Sequence, residues 1–159
     1  MQSWKKIFKD YIQKQKSADS AHDTDHVQRV VINAEKFAQL ENADLEIVIP
    51  AAWLHDCVAV SKDSSLRNQA SKLSAEKAEQ LLKEWNYPLE NIDAIKHAIE
   101  AHSYSANIKP LTLEAKIVQD ADRIDSIESE EQLLDSRFSL MSLELAELFA
   151  VLFEIFPKS

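Results

Sequence analysis

Nowhere along the chain do apolar and polar residues alternate for long enough to make a strand. Apolar residues instead return every third or fourth position, the period of one face of a helix. Trp4, Phe8, Tyr11 and Ile12 place an amphipathic helix over residues 3 to 16, with Ser3 as its cap. After a polar loop from Ser17 to Thr24, a second helix from about Asp25 to Leu40 carries Val27, Val30, Val31, Ala34, Phe37 and Ala38 inward. A third is expected from about Asp44 to Val58, kinked or started by Pro50, which has no N–H to donate. A long polar connection, Val60 to Ser74, ends where Ser74 caps a helix faced by Ala78, Leu81, Leu82 and Trp85. Asn86-Tyr87-Pro88 breaks the chain. Ile92, Ile95, Ile99 and His102 then mark a helix over 89 to 102, and Thr112 caps another running through Ile127. The expected fold class is all-α, and 159 residues suffice for one domain with its own core.

Composition narrows the partners. A formal charge of −9 argues against binding a nucleic-acid polymer, which calls for a basic surface. The single cysteine, Cys57, fits a reducing compartment, and no segment has the roughly 20 apolar residues needed to span a bilayer. With no signal peptide legible at the N-terminus, the expected location is the cytoplasm, away from any membrane. The chain contains no glycine, although left-handed turn positions usually call for it.

Chemistry concentrates in four places. The apolar run Ala51-Ala52-Trp53-Leu54 delivers His55 and Asp56 together, a ring nitrogen and a carboxylate suited to a first-row divalent metal. His26 falls on the core side of the second helix, and Asp122 shares a face with Val118, Ala121 and Asp125. Each of these alone reads as a hydrogen-bonded core residue. Two histidines and two inward aspartates together are hard to pair off without a cation.

The order His26, His55-Asp56, Asp122 resembles the H…HD…D signature of the HD superfamily of metal-dependent phosphohydrolases. The flanks match as well: His26-Val27-Gln28-Arg29-Val30, Ala51-Ala52-Trp53-Leu54-His55-Asp56 and Gln119-Asp120-Ala121-Asp122-Arg123-Ile124-Asp125. Ala98-Ile99-Glu100-Ala101-His102-Ser103 is similar to stand-alone bacterial HD hydrolases of the YedJ/YpgQ type. The resemblance covers about residues 20 to 127 and implies an HD-domain helical bundle. It also implies one divalent metal ion held by His26, His55, Asp56 and Asp122, and hydrolysis of a phosphate ester or anhydride. The YpgQ-like branch points to a small phosphorylated substrate, a nucleotide, and to nucleoside triphosphate pyrophosphatase chemistry. Manganese, magnesium, cobalt, nickel and iron all suit the donor set.

On this reading Asp56 orients the attacking water, and His102, inward on its stripe, contacts phosphate or orients the groups that do. Arg29, Lys62, Arg67 and His22 are expected at the substrate, by charge or by nearness to the ligands, and Asp125 orients a ligand from one turn beyond Asp122. His97 falls on a solvated face, and Cys57 reads as a packed thiol. The expected division is an HD-type unit, 1–127, and a divergent helical tail, 128–159. From Phe138 to Phe156 that tail is apolar on nearly every side, so it docks on the core, pairs with a second copy as a homodimer, or replaces the family's C-terminal part through a reading-frame change. The competing function is a metal- or nucleotide-binding module that this tail has disabled.

Overall fold

The computed structural model describes residues 2–14, 21–61 and 64–138. Among them are six α-helices and no strand: α1 (Gln2–Lys14), α2 (Ala21–Glu41), α3 (Leu45–Leu54), α4 (Ala70–Glu84), α5 (Leu89–His102) and α6 (Leu113–Phe138). Two short 3-10 turns, Arg67–Gln69 and Tyr104–Ala106, lie in the connections and pack on each other. By its contacts the chain divides into two compact units, Met1–Asp125 and Ser126–Ser159. The apolar run expected to dock or dimerise lies outside the described residues beyond 138. No described helix is long and apolar enough to cross a membrane.

The first unit is built around α3. Every residue from Val48 to Leu54 is buried, because α1, α2, α4 and α5 all pack against this one helix. A helix apolar on every side is stable in water only at such a centre. Asp44 caps it, accepting the Glu46 N–H on Oδ1 at 2.8 Å. Pro50 neither ends nor begins the helix. Its missing N–H leaves the Glu46 carbonyl without a helical donor, and the buried Tyr87 hydroxyl donates there instead, at 2.8 Å. Removing that donor with Tyr87→Phe should cost about 1 kcal/mol and lower Tm by about 2–4 °C. Thermal unfolding measures this, and an unchanged midpoint would mean that water serves the carbonyl equally well.

The glycine question has a local answer. The three left-handed residues described are asparagines: Asn42, Asn86 and Asn107, with φ of 55°, 57° and 53°. Asparagine tolerates this region better than other side chains. After α2 and α4 the residue beyond the asparagine reaches back five positions, Ala43 to the Ala38 carbonyl at 2.9 Å and Tyr87 to that of Leu82 at 2.8 Å. Both helices therefore end in the Schellman pattern that glycine usually serves.

Several boundaries differ from expectation. Ser3 lies inside α1 and caps nothing, and α2 begins at Ala21, a turn early. Ser74 is buried within α4, where its hydroxyl receives the Val58 N–H at 3.3 Å instead of capping the helix. α3 stops at Leu54 because the His55 ring donates from Nδ1 to the Ala52 carbonyl, at 2.8 Å, where the Asp56 N–H of a continuing helix would bond. The Thr112 cap stands, with Oγ1 accepting the Ala115 N–H at 3.2 Å.

Candidate metal centre

Four helices deliver the chemistry. α2 carries His26 and Arg29 one turn apart, and α6 carries Asp122 and Asp125 at the same spacing. His55 and Asp56 leave the end of α3, and His102 closes α5. Ligand atoms of His26, His55 and Asp56 lie within 4.8 Å of one another. Asp122 Oδ1 joins them, 3.4 Å from His26 Nε2 and 3.8 Å from His55 Nε2. The two Nε2 atoms face each other at 3.3 Å, and Asp56 Oδ2 stands 3.8 Å from that of His55.

Hydrogen bonds on the far side of each ring decide what these nitrogens are. His26 Nδ1 meets the Asp125 carboxylate at 2.6 Å, and His55 Nδ1 meets the Ala52 carbonyl. Neither oxygen has a proton to give, so both Nδ1 atoms donate, and in the neutral rings both Nε2 atoms turn lone pairs inward. Two lone pairs and two carboxylates then converge on one point, an arrangement that demands positive charge. Donors about 2.1 Å from one ion lie about 3.0 Å apart at right angles and about 4.2 Å apart across it. The separations of 3.3 to 3.8 Å fall in that range. The residues fit a divalent cation.

Without an ion, a proton takes its place. Burial pulls the His26 imidazole down, but Asp122 and Asp125 outweigh it and raise its pKa to about 9. Burial lowers that of His55. Burial would raise both Asp56 and Asp122, yet the surrounding imidazoles hold both below the usual carboxylate range. Loading a metal must therefore expel the His26 proton. Affinity for manganese should rise with pH up to about 9, by up to about tenfold per unit. Calorimetric titrations at neutral and mildly alkaline pH check this; a flat affinity would mean that His26 is already neutral.

Asp125, 1% exposed, accepts from His26 Nδ1 and from Nε and Nη2 of Arg29. Arg29, expected at the substrate, is thus engaged in gripping Asp125. Buried His102 donates from Nδ1 to the Ile99 carbonyl at 2.6 Å and points Nε2 at Asp56 Oδ1, 3.6 Å away. Asp56 is half exposed, with 50% of its side chain open to water. Arg67 is exposed and donates to the Val60 carbonyl at 3.3 Å. Lys62 and the side chain of His22 lie outside the described residues. Cys57 is inert: burial pushes its thiol up to about 12, and it donates to the Ser74 carbonyl. His97 is half-buried, its Nε2 accepting the Leu111 N–H at 3.0 Å, so it pins a loop where a solvated face was expected. Sequence reasoning missed Gln119, whose buried amide donates to the Ala101 carbonyl at 2.7 Å. The available signal was an amide one turn before Asp122, beside the buried Val118.

Residues 24–127 match the HD domain family. The uncharacterized protein YpgQ of Bacillus subtilis (strain 168) is 38% identical over 112 residues, 68% of this chain and 52% of that one. The chain thus spans about half the length of this curated relative. A crystal structure described as a predicted HD superfamily hydrolase, from an uncultured Thermotogales bacterium, superposes with a TM-score of 0.64 at 25% identity. It covers 93% of this chain and 92% of that one. The resemblance read from the four motifs, YpgQ type included, is borne out.

Proposed function

The chain belongs to the HD-domain family, and on that premise we propose that it is a metal-dependent phosphohydrolase. It cleaves a phosphate ester or anhydride of a small substrate, a nucleotide, with pyrophosphatase-like chemistry on nucleoside triphosphates. The carrying observation is the convergence of two imidazole lone pairs with the Asp56 and Asp122 carboxylates, each ring locked from behind. The Thermotogales protein bears the name of a hydrolase, which supports the same class.

When bound, a divalent cation supplies Lewis acidity toward a phosphoryl oxygen and toward water. His26, His55, Asp56 and Asp122 would hold it, and Asp125 keeps His26 in the tautomer that holding would require. Half-exposed Asp56 is the member that meets incoming water and orients it for in-line attack. His102, buried behind Asp56, holds a proton at Nε2 toward that carboxylate and toward the leaving oxygen. Arg67 lies on the turn that packs against Tyr104–Ala106, immediately past His102, and meets the outer phosphates. Lys62 and His22 take the same role by their sequence positions.

The test is a hydrolysis screen of metal-stripped protein on nucleoside mono-, di- and triphosphates. Manganese, magnesium, cobalt or nickel is added back, beside an Asp56→Ala control. Ion-dependent release of phosphate or pyrophosphate that the control lacks is the expected result. Silence across the panel with an ion still bound would replace the enzyme with a binding module.

A further inference from the structure

The last turn of any helix leaves carbonyls without helical donors. At the end of α5 two of these have been claimed by side chains. His102 takes the Ile99 carbonyl with its own Nδ1, at 2.6 Å. The Ala101 carbonyl, in the peptide that leads into His102, accepts from Gln119 Nε2 at 2.7 Å. Gln119 is only 8% exposed and stands on α6 one turn before Asp122. A single turn of α6 therefore carries a metal-facing carboxylate and the amide that grips the peptide before His102. The other ring nitrogen of His102, Nε2, faces Asp56 Oδ1 at 3.6 Å.

From this we infer that Gln119 is a positioning residue that sets His102 against the Asp56–Asp122 side of the centre. It touches neither the cation nor the substrate. Its amide ties the end of α5 to the turn of α6 that supplies Asp122, so the distance from His102 to the ligands does not drift with the packing of the two helices. The inference rests on the role given to His102 above. A side-chain donor to a backbone carbonyl is worth most where water cannot replace it, and Gln119 is buried.

The test uses the full chain with Gln119→Leu and, should that variant fold poorly, Gln119→Met, whose unbranched side chain fills irregular space. In the magnesium-loaded protein, imidazole resonances of His102 should move or broaden while those of His97 stay in place. In the hydrolysis assay kcat should fall about 10–100-fold with metal affinity nearly unchanged. In a His102→Gln background the same Gln119 substitution should cost less than about twofold, because partners acting as one unit are not additive. Unmoved His102 resonances, or losses at Gln119 and His102 that multiply in full, would overturn the inference. Absence of hydrolysis by the unaltered chain would defeat the proposed activity instead, and the resonances would still decide the role of Gln119.

Discussion

Asp122→Ala should abolish tight metal binding while leaving the fold standing. Its Oδ1 lies 3.4 and 3.8 Å from the inward Nε2 atoms of His26 and His55, and the new methyl would sit beside the buried Val118 and Ala121. Affinity for manganese should drop by more than about 100-fold, since substitutions one shell further out already cost about 10–100-fold. Turnover should fall at least as far, because the ion goes with its ligand. The metal-free protein should melt close to the unaltered chain, since alanine favours the helix and one of several converging acceptors has been removed. Calorimetric titration with manganese and thermal unfolding measure the two halves. Unchanged affinity would remove Asp122 from the centre, and a collapsed fold would make it a structural residue.

Asp125→Ala should do nearly the opposite, damaging the fold and the metal site together. Asp125 is buried and holds two cationic or donor groups of α2, His26 and Arg29. Without it the His26 ring loses the acceptor that fixes its tautomer, and manganese affinity should fall about 10–100-fold. Stability should fall by about 3 kcal/mol, the lower end for a broken buried pair, because half-exposed Arg29 can turn back into water. Burial works against the Asp125 carboxylate, but Arg29 and His26 depress its pKa below the ordinary value. For a depressed carboxylate the stabilisation is complete above the ordinary range near pH 4. It is lost as acid protonates the folded protein. The gap between the variant and the unaltered chain should therefore hold at neutral pH and close in strong acid. Arg29→Ala should share the loss of stability while retaining more of the metal affinity, as Asp125 keeps its bond to His26. Equal metal affinity in Asp125→Ala and the unaltered chain would end the orienting role.

The helical class was legible because amphipathic faces repeat every three to four residues, and each face needs only its own segment to be read. The stripe Ile92, Ile95, Ile99 and His102 is buried as its spacing implied, and Thr112 caps α6 as its chemistry implied. The set of candidate donors was legible for a different reason. His26, His55, Asp56 and Asp122 stand in an order and in local contexts that resemble one family, and that family is the one the chain matches. The end of α3 was not legible, since it turns on one imidazole outbidding a backbone N–H for the Ala52 carbonyl. Ser74 misled because serine is a good cap in the open and an equally good buried donor or acceptor beside a loop.

From sequence alone came the all-α class, the inward faces and the candidate metal-type donors, all properties that a residue and its near neighbours carry with them. Which nitrogen of each ring faces the centre, that Arg29 closes on Asp125, and that Gln119 reaches the end of α5 were decided only by the tertiary structure. The His26 and Arg29 contacts to Asp125 join residues 99 and 96 positions apart, and the Gln119 contact spans 18. No local period encodes such separations. They follow from how α2, α5 and α6 come to rest on one another, which no one segment specifies.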